Sequence, residues 1–571
     1  MDVRRAASAV AALALVAAAG FPAAASAAAG DEPPISEERA IAIAERDANA
    51  REAAASHPDL HPSAGRAEHD GDWEVSFFGG GDQLVQVIVD DETGFVEESW
   101  TGYQVAWKMA RGYEGAFGRK LNAPWIWLPL CAIFLVGLFD WRRPLRMAHL
   151  DLLVIVAGFG VSHFFFNRAE IGLSVPLAYP ALAYLLARAL WLAFRRRAPG
   201  LRPALPLAVL AIATLFLIGV RVGLNVADSN VIDVGYSGVI GADRITDHEA
   251  IYGDFPEDNS HGDTYGPLAY YVYVPFELIL PWSGDWDDLP AAHAAAIFFD
   301  LATIGALFLL GRRLRPGSAG TRLGTTLAFA WTANPYTAFA LESNTNDALV
   351  SLLLVVTLLF LNSPAARGAI LALATATKFA PGLLFPLFAT YDRRYGRQPD
   401  LAGRGGGTAG GPTPRPPGED VGGTAVTGPP RRVLSVVVPY AAAFAAATLV
   451  VMAQTIFDPG IPTFWDRTIG NQVGRESPFS IWGQTDLEPL HTALKIAIAL
   501  LAVAVAFVPR RRDLVTVAAL GAAVVIASQL AIEHWFYLYI PWFLPFVLVA
   551  LLAREEPEAT TSSGAPEPSP A

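Results

Sequence analysis

One cysteine, Cys131, stands in 571 residues, and it lies inside an apolar run, so neither an intramolecular disulfide nor a cysteine metal cluster is available. Lysine is scarce and vastly outnumbered by arginine, a bias that points to a GC-rich bacterial genome and makes each lysine conspicuous. No basic surface of the kind nucleic acid requires is present: the formal net charge is −13, and Asp and Glu crowd Asp31 to Glu98 and Asp228 to Asp288, while arginine clusters in short turns. No internal repeat is visible. What the chain has in excess is apolar length: 53% of residues are hydrophobic, the mean hydropathy is +0.36, and apolar runs recur at the length that spans a bilayer. The composition excludes an ordinary soluble domain and predicts a multi-pass protein of a bacterial cell membrane.

The N-terminus reads as a secretory signal peptide over 1–27. Arg4 and Arg5 precede the apolar stretch Ala6 to Ala19, and Ala25-Ser-Ala27 offers small residues for cleavage. A small α+β unit is predicted over 31–118, facing away from the cytoplasm. Ile35 to Ala55 has the pattern of one amphipathic helix capped by Ser36. Trp73 to Phe77 and Leu84 to Val89 alternate as strands joined by a turn at Gly79 to Asp82, and Asp91 to Gly94 turns into a further strand at Phe95.

The membrane part is predicted over 123–397 and 431–553. Apolar runs near 123–139, 149–166, 171–194 and 203–220 come first, and Arg142, Arg143, Arg146 and Arg195 to Arg197 mark cytoplasmic turns. With the N-terminus outside, the fourth run also ends outside, at Arg221, which places the loop carrying Asp228, Asp233 and Asp243 on the extracytoplasmic side. Leu268 to Trp282 is too short to cross without putting Arg312, Arg313 and Arg315 outside, so it reads as interfacial or re-entrant. Later runs lie near 291–310, 323–340, 348–361, 433–456, 492–508, 514–532 and 536–552. Both flanks of Gly368 to Thr390 read as cytoplasmic, with Arg393, Arg394, Arg397, Arg431 and Arg432 following it, and the segment is predicted to be a hairpin of two short helices broken near Lys378-Phe-Ala-Pro381. Counting the hairpin as two, there are about 13 spans. Residues 398–430, rich in Gly, Pro and Thr, are predicted to form a disordered linker, and 554–571 a disordered tail.

Four polar segments fall on the predicted outer face: Asp228 to Asp263; Asn334 to Asp347; Phe464 to Gly483, with Arg467 and Arg475; and Glu533-His534-Trp535. Their coincidence on one face predicts a single site. A carboxylate at a water–lipid boundary suits chemistry on a lipid-linked substrate. With a phosphate leaving group no general acid is needed, and one carboxylate taking the acceptor's proton suffices, whereas glycoside hydrolysis uses two. Arg244, Arg467 and Arg475 are external cations able to neutralise a departing phosphate. Lys378, in an apolar hairpin, either pairs with the lipid phosphate or snorkels to the interface. Glu533 and His534 form a candidate sugar-binding or structural pair. No metal-ligand cluster and no cofactor motif stands out.

Two resemblances sharpen this reading. The helix followed by strands ending in Val87-Ile-Val-Asp-Asp-Glu-Thr-Gly94-Phe-Val96 resembles the PepSY domain, implying a binding or regulatory module. The membrane region from about Pro203 resembles the GT-C glycosyltransferases, family 87 especially, through Asp233-Val-Gly-Tyr236, Glu249-Ala-Ile-Tyr252-Gly, Tyr265-Gly266-Pro267-Leu268 and Lys378-x-x-Pro381. Gly266 departs from the family's Y-P-P-L element, and four spans precede the loop where one is usual. The resemblance implies a mainly α GT-C-like fold and an inverting transfer of a sugar such as mannose from a polyprenyl-phosphate donor to an extracytoplasmic lipid or glycan acceptor, without metal. It implies Asp233 as base and Tyr236, Tyr252, Tyr265 and Lys378 around the substrate; position and charge add Asp228 and Asp243 as further candidate bases, and Arg244, Arg467, Arg475, Glu533 and His534 as further candidate binding residues. The alternatives are a transporter or flippase for a lipid-linked or small polar solute, and an assembly protein whose working part is the N-terminal unit.

Overall fold

A computed structural model describes residues 35–66, 71–112, 118–195, 200–392, 429–473, 477–510 and 512–554. The expected signal peptide, nearly all of the expected linker and tail, and Arg475 lie outside these residues. The chain divides into two units, Met1–Lys108 and Met109–Ala571.

In the first unit four antiparallel strands form a meander: β1 (His61–Arg66), β2 (Trp73–Gly79), β3 (Asp82–Val89) and β4 (Val96–Thr101). Val75, Phe77, Val85, Val87 and Val89 are buried against Ile35, Ala40, Ala44 and Ala50, so the apolar alternation read from the sequence lines the face that the helices cover. Two expectations change here. The single helix is two, Glu37–Ala44 and Ala48–Ser56, because Asp47 turns extended and its side chain accepts the Asn49 N–H at 2.9 Å, starting a second helix. Strand β1 went unread, since His-Pro-Ser-Ala-Gly-Arg carries a proline and a glycine and lacks an apolar alternation; it is an edge strand, where both are tolerated.

The second unit is helical and polytopic. Among the described residues, six helices are long and apolar enough to cross a membrane: Met147–Phe166, Ile171–Phe194, Leu207–Asp228, Pro290–Leu314, Leu434–Phe457 and Leu514–Ala531. Shorter apolar helices, Pro124–Leu138, Asp347–Leu359, Ala380–Ala389 and Tyr537–Leu552, account for further expected runs. The expected run near 323–340 is two helices, Gly317–Thr332 and Pro335–Glu342, parted at Asn334, whose side chain caps the second by accepting from Tyr336 N and Thr337 N. Leu268 to Trp282 forms only two one-turn helices, Leu268–Tyr271 and Val274–Glu277, rather than a span.

The expected hairpin is present. Helix Pro364–Thr377 stops at Lys378, whose backbone is extended, and the chain returns through the short helices Ala380–Leu384 and Phe385–Ala389. Its two legs are tied at the base by Arg367, which is 1% exposed and donates to Leu361 O, Phe388 O and Tyr391 O at 2.6, 2.9 and 2.9 Å. A guanidinium fork can meet three carbonyls at once; of these Phe388 O also accepts from Tyr391 N at 3.3 Å. The helix ladder leaves terminal carbonyls orphaned, so a broken helix needs such a clamp.

Candidate functional site

The acidic stretch after Asp228 is a helix, Asp233–Thr246, rather than a loop. Its three glycines explain how a glycine-rich sequence becomes helical. Gly235, Gly238 and Gly241 recur every third residue and share a face. A Cβ on them would stand 2.3 Å from Asn344 O, 2.5 Å from the Tyr273 ring and 2.3 Å from the Tyr270 ring. Packing at a distance only glycine allows replaces the intrinsic propensity the sequence lacks.

This helix and its flanks bring the four polar segments together. The first meets the second where Asn230 N and Ile232 N donate to Glu342 O and Ser343 O, and where the Asn344 amide donates to Ser229 Oγ and Asn230 O, both at 2.9 Å. The first meets the third at Arg467, whose Nε lies 2.6 Å from Asp263 Oδ2 and whose Nη2 donates to Ser260 O. The third meets the fourth where Trp535 N donates to Phe479 O and where His534 Nδ1 lies 2.9 Å from Ser477 Oγ. Just after the fourth, Trp542 donates to Asp347 Oδ1 of the second at 2.8 Å. The four segments thus close a ring of contacts.

The hairpin tip enters this ring. Lys378 Nζ is 2.8 Å from Asp347 Oδ1 and lies over the rings of Tyr265, Tyr539 and Trp542 at 5.4, 5.6 and 5.4 Å. Asp347 is fully buried and Lys378 only 8% exposed. An ammonium at this depth requires a counter-ion, and the aromatic faces add to its stabilisation. Of the two roles expected of Lys378, snorkelling to solvent does not describe this geometry. The tip sits against the loop at Gly266, where a Cβ would be 2.1 Å from Ala376 O. The departure from Y-P-P-L is therefore a close backbone crossing that keeps Tyr265 over Lys378.

The three candidate bases sit differently. Asp233 is exposed at the first turn of its helix, and its carbonyl accepts from Ser237 Oγ and Asn259 Nδ2. Asp228 closes the preceding helix and pairs with Lys120, whose Nζ and backbone N both lie 3.2 Å from its carboxylate. Asp243 lies ten residues along the helix from Asp233, about 15 Å away. Burial, then Asp247 and Glu249, holds its carboxyl above the usual range, and burial and Asp243 do the same to Glu277.

Among the expected binding residues, Tyr236 is buried, stacks on Trp286 at 4.8 Å and donates to Asp258 Oδ2 at 3.2 Å. Burial and Asp258 raise its phenol well above the ordinary value, so it stays a neutral donor. Arg244 spends its donors on its own loop, at Ala250 O and Asp254 O, both 2.7 Å away. Tyr252 is buried and donates to Tyr265 O at 2.9 Å, linking two of the expected tyrosine elements directly. Glu533 pairs with Lys495 at 2.9 Å and lies 3.9 Å from His491 Nδ1.

Sequence reasoning missed three buried acids as partners. Asp300 pairs with Arg221 at 2.6 Å and accepts from Trp331 Nε1 at 2.7 Å. Arg221 is thus not the end of a span. It is buried within a helix that runs on to Asp228, donating also to Thr332 O, Thr337 O and Thr337 Oγ1. Asp263, fully buried, anchors Arg467 and also accepts from Gly253 N at 2.8 Å. Asp347 is the third. Only Asp300, between Phe299 and Leu301, carried a usable signal, a carboxylate in an apolar sequence context, which is costly unless paired.

A multi-pass helical unit that gathers polar segments around a broken-helix tip fits a membrane fold of the GT-C kind. Residues 264–409 match the model of glycosyltransferase family 87. The match supports a membrane glycosyltransferase of that family. The matched segment holds Tyr265, Gly266, Asp300, Asp347 and Lys378, and leaves Asp228, Asp233, Asp243 and Arg467 outside. No curated protein matches the chain.

Proposed function

We propose that this glycosyltransferase moves a sugar, mannose being the first to test, from a polyprenyl-phosphate donor to a lipid or glycan acceptor on the extracytoplasmic side, with inversion at the anomeric carbon. The observation that carries this reading is the ring of four polar segments closed around the Lys378 tip within a chain that matches family 87.

Asp233, the exposed carboxylate of the three, takes the acceptor's hydroxyl proton as that oxygen attacks the anomeric carbon. The bond from that carbon to the phosphate oxygen breaks, and the polyprenyl phosphate leaves with its electron pair. Lys378 and Arg467 supply positive charge against the departing phosphate. Tyr252 and Tyr265 fix the loop that carries them. The N-terminal unit acts as a binding or regulatory module of PepSY type and takes no part in the chemistry.

The test is Asp233→Asn in the full chain, reconstituted in lipid with mannosyl-phosphoryl-polyprenol and a membrane lipid extract as acceptor. A general base contributes about 10²- to 10⁴-fold, and the variant should lose that much transfer with its thermal unfolding unchanged. Wild-type rates in the variant would sink the Asp233 assignment. Solute uptake by vesicles containing the wild type, with no transfer from any donor, would sink the transferase reading in favour of transport.

A further inference from the structure

The Asp347–Lys378 pair holds more than a phosphate site requires. Asp347 Oδ1 already accepts two hydrogen bonds, from Lys378 Nζ and Trp542 Nε1, each at 2.8 Å. Asp347 Oδ2 is buried and has no hydrogen-bond partner among the described residues. The adjoining Asn346 side chain is likewise buried with neither its carbonyl nor its amide engaged. A carboxylate oxygen left unsatisfied in a protein interior is costly, and native interiors leave few such groups without a reason.

Charge decides what these groups suit. The pair is already neutral: an incoming cation would compete with Lys378, and an anion would face Asp347. A neutral group that donates a hydrogen bond meets Oδ2 without disturbing the balance, and Asn346 offers both a donor and an acceptor. A hydroxyl is a neutral group that does both. Tyr265 and Tyr539 are only half-buried, so approach to the pair passes their rings, whose faces suit the C–H surface of a pyranose.

Resting on the transferase reading above, we propose that Asp347 Oδ2 and the Asn346 amide form a subsite that accepts hydroxyl groups of the transferred sugar, and that Asp347 determines which sugar the enzyme uses. Lys378 then has two partners: Asp347 fixes its ammonium on one side and the donor phosphate meets it on the other. The sugar hydroxyl and the phosphate of one donor molecule are read by adjacent residues.

The experiment uses the reconstituted full-length protein and a series of mannosyl-phosphoryl-polyprenols lacking single hydroxyls, at C2, C3, C4 or C6, with wild type, Asp347→Asn and Asn346→Ala. A hydrogen bond to a charged acceptor corresponds to about 10- to 150-fold in kcat/KM. One or two deoxy donors should lose about that factor with the wild type. The same donors should lose little further with Asp347→Asn, because the partner is already gone. A flat deoxy profile with the wild type overturns the proposal without reference to any variant, which covers the case that Asp347→Asn does not fold. Equal penalties in wild type and Asp347→Asn also overturn it, and would leave Asp347 a structural counter-ion. Failure of the parent reading is distinct: the wild type would then transfer none of the sugars, the intact donor included.

Discussion

Gly266→Ala isolates the crossing that holds the loop to the hairpin tip. An added Cβ would stand 2.1 Å from Ala376 O, 2.6 Å from its carbonyl carbon and 3.2 Å from its Cα, where real Cβ atoms stay beyond 3.0 Å. All three are backbone atoms, so no side chain can rotate away, and loop and helix must part by about 0.9 Å. Ala376 lies two residues before Lys378, and Tyr265 precedes Gly266, so the separation falls on the Lys378–Tyr265 contact. Forced overpacking of this kind costs about 1–3 kcal/mol. A displacement near 1 Å at reacting groups costs about 10²-fold in rate. The variant should therefore unfold at lower temperature and transfer sugar about 100-fold more slowly, the loss appearing in kcat, because a contact that positions the departing phosphate is used most in the transition state. Gly160→Ala is the control: nothing lies within 4 Å of its Cβ, and alanine stabilises a helix interior relative to glycine, by about 1 kcal/mol. Single-turnover transfer and thermal unfolding of both variants in lipid nanodiscs decide the matter. Wild-type rate and stability in Gly266→Ala would refute the idea that a close backbone crossing sets the tip.

Arg367→Met removes the guanidinium that joins three carbonyls of the hairpin base, leaving Phe388 O only its bond from Tyr391 N, and should open the hairpin to protease and hydrogen exchange, and Arg367→Lys should restore only part, because one ammonium cannot span Leu361, Phe388 and Tyr391. Asp263→Asn leaves Arg467 without its buried counter-ion, at a cost of about 3–5 kcal/mol; hydrogen exchange should rise across 253–265, and unchanged protection there would deny the pair its role. Asp243 and Glu277 have carboxyls raised in the folded state, so the folded state holds their protons to higher pH than the unfolded state does. Their contribution to stability is fully present below the ordinary carboxylate range and lost as pH rises through the raised values. Asp243→Asn should accordingly raise the unfolding temperature at pH 7 and have no effect at pH 3, and a gain that persists at pH 3 would contradict the assignment.

The apolar runs were legible because hydrocarbon forces backbone polar groups to pair within the segment, and length and hydropathy follow from that. The hairpin was legible for a related reason, since proline after Lys378 and the arginines that follow the segment leave the chain no other way back. The Asp233–Thr246 helix was not, because its stability comes from Tyr270, Tyr273 and the Asn344 backbone pressing on glycines that local propensity counts against a helix. Glycine at every third position was the overlooked signal. The pairing of charges was hidden for a different reason. Arg221 finds Asp300 and Asp263 finds Arg467 across helices far apart in sequence, and no periodicity reports such a partner.

Those pairs separate two kinds of buried charge in this fold. Arg221, beside Asp300 and three further oxygen acceptors of Thr332 and Thr337, has its guanidinium nitrogens Nη1 and Nη2 spent within the protein, and it joins helices without need of a ligand. Asp347 has one oxygen doubly bonded and the other without a partner, beside an ammonium held by a single carboxylate contact and three aromatic faces. An open oxygen is costly wherever it lies, and Arg221 Nε and Asp263 Oδ1 are also buried without a partner among the described residues, so the opening alone does not set Asp347 apart. The Lys378–Asp347 pair differs in lying next to a chain break, inside the segment that matches family 87, and against a glycine crossing that tolerates no added atom, and it is the pair we propose meets substrate. On that ground Lys378 and Asp347, rather than the better-bonded Arg221 and Asp300, mark the centre around which the four polar segments close.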